Sequence, residues 1–528
     1  MKINRTNIFF STLLILAACF FSLSYNIEAR ILAEGTIQSG QINYPNGFNL
    51  YRVISINSWS LPIQITSILV KNNISPLIIS KIILFSSTLM FLVGVFLIAR
   101  FFTKLNLVAF LVSFLVILLK KNFGHLDYPT MIFSENSNGM IAQAMFTMVF
   151  GFLINNNLKL GFFFSVLLIP VHLTIGLWLN FIIFCTLISR FKIYRKIILN
   201  KKNFFFIFVA SVILLISFFY SFSQKLPFNA LYDLETYKTY MEVWDGHRTG
   251  YGLYSNYINY EYIGKTLTLV LLISIFLKLK SNKDNYNFGL SALLINCMLS
   301  FFLYISYKFF YVFFPDLITR TIPTRFFLLH SIIGWPIIFS ILFVLIRSMI
   351  PNLKYVHIFF TLILIFHFAQ HHSTFIERYK GIKYNLSILY SYKINNEFWY
   401  KIKNINLDGF VLGSSGFDTC VKTIALAKKP LFFCPQSLDL IPYFPSAATT
   451  VKKIVEEVYN VPFDNPKVKH LGGILNDDLK PSFQNKSYND WIYLKNQFNI
   501  TSLIVPKTWQ IKLKIFLSND KYNFYIIQ

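Results

Sequence analysis

Long apolar runs dominate this chain and limit what it can fold into. A helix that crosses a bilayer needs about 20 apolar residues, and it satisfies its own backbone hydrogen bonds there. The runs therefore predict an all-α polytopic membrane core of about eleven transmembrane helices. The predicted spans lie near residues 8–25, 76–99, 105–119, 139–155, 160–174, 175–189, 203–222, 264–279, 287–313, 326–346 and 353–371.

Composition supports the same class of protein. Hydrophobic residues make up 55% of the 528 residues, charged residues only 14%, and the mean hydropathy is +0.53. A net charge of +26 would suggest nucleic acid in a soluble protein. Here the basic residues cluster in short loops such as "RFKIYRKIILNKKN" at 190–203, as expected of loops on the cytoplasmic face of a membrane. We therefore expect membrane lipid as a partner and no nucleic acid.

The basic residues also predict an orientation. Lys2 and Arg5 place the N-terminus in the cytoplasm, and the first run, although it resembles a signal peptide, is long enough to stay as a span. The transmembrane domain is expected to cover residues 1–372. The predicted outer segments are 26–75, 120–138, 223–263, 314–325 and the tail at 373–528.

The tail has a different sequence character from the core. Short β-branched runs alternate with helical patterns from about residue 405, which predicts a small α/β extracytoplasmic domain. Cys420 and Cys434 lie in this tail and can pair if it faces an oxidising compartment. Neither CxxC nor HExxH occurs, so the cofactor stays unknown and a divalent cation stays open.

The first outer segment, "SLSYNIEARILAEGTIQSGQINYPNG", places two acids at the mouth of the first span. Glu28 and Glu34 flank Arg30. One interpretation is interfacial solvation with Glu28 paired to Arg30. The other is a carboxylate that serves as a general base or stabilises positive charge on a sugar ring.

The other outer segments carry further polar candidates. Each has a bland alternative, namely solvation of the headgroup zone, a satisfied packing histidine, or a charge at a helix end. "DLETYKTYMEVW" has helical spacing, and its apolar stripe is expected to lie in the membrane interface as an amphipathic helix. Pro170 and Gly176 are expected to let the backbone break near His172. The candidates are Asp127, Glu135, His172, Asp245, His247, Arg248, Arg320, Arg325 and His330.

Arginines are usually enriched in cytoplasmic loops, so arginines in an outer segment are unusual and suggest an anionic partner. Together with the carboxylates and imidazoles, they favour a polar site at the membrane surface for a charged amphiphile. A lipid-linked phosphate fits, because its tail stays in the bilayer while its phosphate meets Arg320 and Arg325.

The layout resembles the GT-C superfamily of membrane glycosyltransferases. "YNIEARILAEG" is similar to the acid of that family's first outer loop with its following glycine-containing stretch. The resemblance implies a polyprenyl-phosphate-linked sugar donor, an envelope acceptor, and a bacterial inner-membrane location with a periplasmic tail. It gives Glu28 the catalytic role, with Glu34 as the spare. For the family's second acidic motif, the resemblance suggests two counterparts in the second outer segment, "HLDYP" with Asp127 or "FSENSN" with Glu135.

Three other functions stay open. A flippase or transporter of lipid-linked saccharide would scatter polar residues through its spans, whereas here they cluster at the outer face. A surface-polysaccharide polymerase or ligase would use similar outer loops. A membrane scaffold without enzymatic activity would lose only stability when Glu28 or Arg325 is changed.

Overall fold

The computed structural model is mostly helical, with a small sheet near the C-terminus. It describes residues 5–23, 30–46, 49–118, 138–189, 191, 194–195, 200–228, 230–245, 260–279, 287–310, 313–315, 318, 320–321, 326–350, 352–370, 372–414, 417–434, 438, 441–464 and 476–528.

A helix lies over each of the predicted apolar runs. In chain order the helices as far as the tail are α1 (Arg5–Leu23), α2 (Arg30–Gln38), α3 (Leu50–Asn57), α4 (Leu61–Lys71), α5 (Pro76–Thr103), α6 (Asn106–Leu118), α7 (Asn138–Ile154), α8 (Leu158–Val171), α9 (Leu173–Ser189), α10 (Lys201–Gln224), α11 (Leu234–Thr239), α12 (Tyr260–Leu279), α13 (Phe288–Phe310), α14 (Phe326–Met349) and α15 (Leu353–Gln370).

Four helical segments among the described residues are long and apolar enough to cross a membrane: α5, α10, α13 and Ile332–Met349 of α14. The bent pair α3–α4, with 110° between its halves, also passes when taken together. In the other apolar helices the apolar stretch among the described residues is only 10–17 residues long, so their crossing of the membrane stays a prediction.

The helical core is organised around α5. Phe10, near the start of α1, stacks on Phe96, near the end of α5, with ring centroids 6.3 Å apart. The two helices therefore run antiparallel. α5 also packs closely on α7, because Gly94 and Gly151 bring the two backbones into direct contact. Small residues at such crossings are the usual means of close helix packing in membranes.

The tail is built from helices around a four-stranded sheet. The strand order is β1-β2-β4-β3, with β1 parallel to β2 and the other two pairs antiparallel. The tail elements are α16 (His372–Asn395), α17 (Glu397–Lys403), β1 (Phe410–Gly413), α18 (Phe417–Ala425), α19 (Ala448–Lys453), α20 (Asn476–Asn485), α21 (Tyr488–Phe498), β2 (Ile500–Pro506), β3 (Ile515–Ser518) and β4 (Tyr522–Ile526).

The tail shares one hydrophobic core with the first and third predicted outer segments. Side chains of α2, α3 and residues 237–244 are buried in the same cluster as those of the sheet and of α18 to α21. Asn49 fastens this junction, since its side-chain amide donates to the backbone carbonyls of Leu431 and Phe432 at 3.1 and 2.9 Å. We call the end of the helical core that meets the tail the tail-side end. It is the end at which α1 ends and α5 begins.

The apolar stripe at 234–244 was predicted to lie in the membrane interface, and this was wrong. Tyr237, Tyr240, Met241 and Trp244 are buried against the tail, and only Leu234 is exposed. The hydroxyl of Tyr240 donates to the Leu438 carbonyl. Periodicity showed an apolar face but not whether lipid or protein would cover it.

Cys420 and Cys434 form a disulfide, with their Cα atoms 5.9 Å apart. The disulfide joins α18 to the short segment after Leu431, the residue that forms an isolated β-bridge with Val411 of β1. The pairing that the sequence left conditional is therefore present.

Candidate functional site

Glu34 is the carboxylate that the structure places most firmly at the tail-side end. It lies on α2, where it is buried with 4% of its surface exposed. α2 packs against α4 on one side and against α18 of the tail on another. Because a short helix gains little stability by itself, these contacts are what hold Glu34 in place.

Gly35 lets α2 approach α4 closely. A Cβ atom added at Gly35 would lie 2.5 Å from Cγ2 of Thr66 and 3.1 Å from the Ser67 backbone nitrogen. Only a glycine therefore fits beside Glu34 without moving α4.

Replacing Gly35 with alanine is expected to destabilise the protein by about 1–3 kcal/mol through overpacking. The double variant Gly35→Ala with Thr66→Ala should recover only part of this loss, because it removes the Thr66 methyl group at 2.5 Å but leaves the Cβ atom of residue 66 at 2.8 Å. Thermal unfolding of the purified protein in detergent measures both effects. Equal melting temperatures for Gly35→Ala and the wild type would contradict the close approach.

Arg320 and Asp245 lie on the same part of the molecule. The guanidinium carbon of Arg320 is 5.3 Å from the ring centroid of Tyr237, and Tyr237 belongs to the core cluster that includes Leu32 and Ile37 of α2. Asp245 is fully buried directly after the π-helical turn Tyr240–Trp244, and its backbone N–H donates to the Tyr240 carbonyl at 3.1 Å. Glu34, Asp245 and Arg320 thus each lie on or beside a segment that contributes to the same large core cluster.

His172 is the single residue between α8 and α9. Its Nδ1 lies 3.0 Å from Oγ1 of Thr174. A Cβ atom added at Gly176 would lie 2.4 Å from the Ile169 Cα atom, so the glycine allows α9 to fold back against α8. The predicted break at this point is present, while a role for His172 in binding a substrate stays a prediction.

His330 lies inside the helical core, where three helices meet. Oγ1 of Thr266 on α12 is 2.7 Å from Nε2, and Oγ of Ser300 on α13 is 3.4 Å from Nδ1. The Ser300 hydroxyl donates to the Cys297 carbonyl at 3.2 Å, so its oxygen is left to accept from Nδ1. His330 is thus a polar link between helices.

Six of the predicted site residues lie outside the part of the chain that the structure describes, and their roles stay predictions. They are Glu28, Asp127, Glu135, His247, Arg248 and Arg325.

Two lysines were missed by the sequence analysis. Lys81 near the start of α5 is half-buried, and its Nζ donates to the Ser22 carbonyl at 3.3 Å. Lys308 near the end of α13 is half-buried, and its Nζ has no hydrogen-bond partner among the described residues; it lies 5.9 Å from the Tyr304 ring. A single lysine inside an apolar run was the available signal, because charges within spans are costly and mark functional positions.

Burial affects one further group in the first outer segment. It raises the pKa of the Tyr44 hydroxyl well above its ordinary value; neighbouring Tyr51 adds to the rise, and Arg52 opposes it. Tyr44 therefore stays protonated and uncharged at neutral pH. Its ring contacts Arg52, whose guanidinium carbon lies 4.8 Å from the centroid of the Tyr44 ring. Within the described ranges, no group of three or more His, Cys, Asp or Glu side chains is placed to hold a metal ion.

Comparisons with known proteins add a weak structural likeness. No protein family matches the chain, and no curated protein matches it. The fold is similar to the crystal structure of ArnT from Cupriavidus metallidurans bound to undecaprenyl phosphate, with 10% sequence identity and a TM-score of 0.43. The match covers 100% of this chain and 99% of that one. A likeness at this level is too weak to transfer an activity.

Proposed function

We propose that the protein is a membrane glycosyltransferase, which moves a sugar from a polyprenyl-phosphate donor to an envelope glycan, lipid or protein at the tail-side end. The observation that carries this proposal is the burial of the Glu34 carboxylate on a helix clamped between α4 and the tail. A carboxylate is almost never fully buried unless it is paired, and this one lies on α2, the helix that follows the first predicted span in the chain.

The cations at the same end suit the phosphate of such a donor. Arg320 presents a planar guanidinium that matches phosphate oxygens, and Lys308 offers a half-buried ammonium. The lipid tail would remain beside the apolar helices. The donor would thus be held by its phosphate while its sugar faces the carboxylate.

The reaction is a simple exchange at the anomeric carbon of the sugar. The bond from that carbon to the phosphate oxygen breaks, and a bond to an acceptor oxygen forms. The proton of the acceptor hydroxyl passes to the Glu34 carboxylate, and polyprenyl phosphate leaves with the electron pair of the broken bond. The same carboxylate also stabilises positive charge on the ring in the transition state.

Native mass spectrometry of the full-length protein with polyprenyl phosphate tests the donor site. Arg320→Ala and Lys308→Met are each expected to lower affinity about tenfold, because a hydrogen bond to a charged group contributes about 1.5–3 kcal/mol. Arg347→Ala is the matched control, since Arg347 lies in the last turn at the other end of α14. Equal retention by wild type, Arg320→Ala and Arg347→Ala would refute the donor site.

A turnover assay in envelope membranes separates the catalytic role from binding. Release of polyprenyl phosphate from a panel of polyprenyl-phosphate sugars is measured for wild type and Glu34→Gln. Glu34→Gln should keep the carrier but lose at least about 100-fold in rate. Unchanged turnover in Glu34→Gln would remove Glu34 from the reaction, and carrier binding without turnover in the wild type would favour the flippase.

A further inference from the structure

A half-open cavity of about 470 Å³ lies at the end of the helical core opposite the tail. It is formed where α5 ends and where α7 turns into α8. Basic, amide and apolar side chains line it together, and no carboxylate is among them. The lining residues are Leu97, Arg100, Lys104, Phe152, Asn155 and Asn157.

The walls of this cavity are tied to one another. The side-chain amide of Asn155 donates to the carbonyls of Leu97 on α5 and Gly151 on α7, at 2.7 and 2.9 Å. Lys104 caps α5 in the left-handed conformation, with φ of 60°, and its N–H donates to the Arg100 carbonyl at 2.9 Å. The two cations are therefore set on a defined helix end and not on a long loop.

A helix N-terminus adds to the positive potential. Asn157 is the N-cap residue of α8, yet its side chain makes no capping hydrogen bond. The first-turn N–H groups of α8 thus lack the usual side-chain acceptor. With Arg100 and Lys104, they make the cavity suited to an anion that supplies several acceptor oxygens.

We propose that this cavity binds a phosphate group, in the form of an anionic phospholipid headgroup. The polar half, with Arg100, Lys104 and Asn157, would take the phosphate oxygens, whereas Leu97 and Phe152 would contact the glycerol and upper acyl chain. The predicted orientation puts this end at the cytoplasmic leaflet, whose anionic lipids attract clustered basic residues. The site is separate from the donor site, which lies at the tail-side end.

Native mass spectrometry of the full-length protein in detergent tests the proposal with phosphatidylglycerol, phosphatidylcholine and inorganic phosphate as probes. The wild type should retain phosphatidylglycerol in preference to phosphatidylcholine. The double variant Arg100→Gln/Lys104→Gln should lose at least about tenfold in affinity. Lys201→Gln/Lys202→Gln is the charge-matched control, because both lysines are exposed at the start of α10, and it should bind like the wild type.

A second variant guards against a simple loss of folding. Asn157→Asp places a carboxylate in the cavity lining and supplies a favoured N-cap for α8, so it should remain folded and still reject phosphatidylglycerol. Inorganic phosphate that competes with the lipid, and is itself lost in both variants, would identify a soluble phosphate as the ligand of the same site. Equal retention of phosphatidylglycerol by all variants, or equal retention of phosphatidylcholine, would overturn the proposal.

Discussion

Gly94→Ala is expected to destabilise the folded protein by about 3 kcal/mol or more, the upper range for overpacking. A Cβ atom at Gly94 would lie 2.6 Å from the Met148 nitrogen and 2.6 Å from the Thr147 carbonyl carbon. Both are backbone atoms of α7, so no side chain can rotate away and the whole helix would have to move. Thermal unfolding in detergent and the yield of monodisperse protein measure the effect.

Gly264→Ala is the control for this prediction. Gly264 lies on α12, and a Cβ atom there would meet nothing within 4 Å. Alanine is favoured over glycine in a helix by about 1 kcal/mol, so this variant should match or exceed the wild type in stability. If both variants melt at the same temperature, the close crossing of α5 and α7 is not what stabilises the core.

Loss of the Cys420–Cys434 disulfide is expected to have the other large effect. The two cysteines are 14 residues apart, and closing a loop of that size in the unfolded chain contributes about 3 kcal/mol. Cys420→Ser/Cys434→Ser should therefore loosen the segment around α18, on which α2 and Glu34 rest. Limited proteolysis should cut the tail of this variant at lower protease concentration than the wild type.

Thiol alkylation is a second measurement that checks the disulfide prediction. Alkylation of the denatured protein without reductant should leave Cys420 and Cys434 unmodified in protein isolated from cells, which would also support a tail in an oxidising compartment. Denaturation is needed because both side chains are buried in the folded protein. Cys19→Ser is the control, because Cys19 is an exposed free cysteine on α1. Identical cleavage of all three proteins would show that the disulfide does not stabilise the tail.

The sequence predicted the helices of the core well because their signal is local. An apolar run of sufficient length has few alternatives to a helix, and the break at His172 followed from Pro170 and Gly176. Cys420 and Cys434 were recognised as a possible pair, although only the fold brings them together.

The candidate site was less predictable because it depends on contacts between distant segments. α2 was read as part of a loop, since nothing in nine residues reveals the support it receives from α4 and α18. The contact of Gly35 with Thr66 has no sequence signature either. Lys308 was missed because the long apolar run around it was interpreted only as a membrane span.

The shared core also fixes when the site can exist during synthesis. Asn49 bonds to Phe432, which is 383 residues later in the chain. The chain is synthesised at about 5–20 residues per second. Roughly 20–80 seconds therefore pass between the synthesis of Asn49 and that of Phe432. Glu34 is thus among the first residues made and among the last to be enclosed, so a chain that stops short of the tail inserts its helices without ever completing the site.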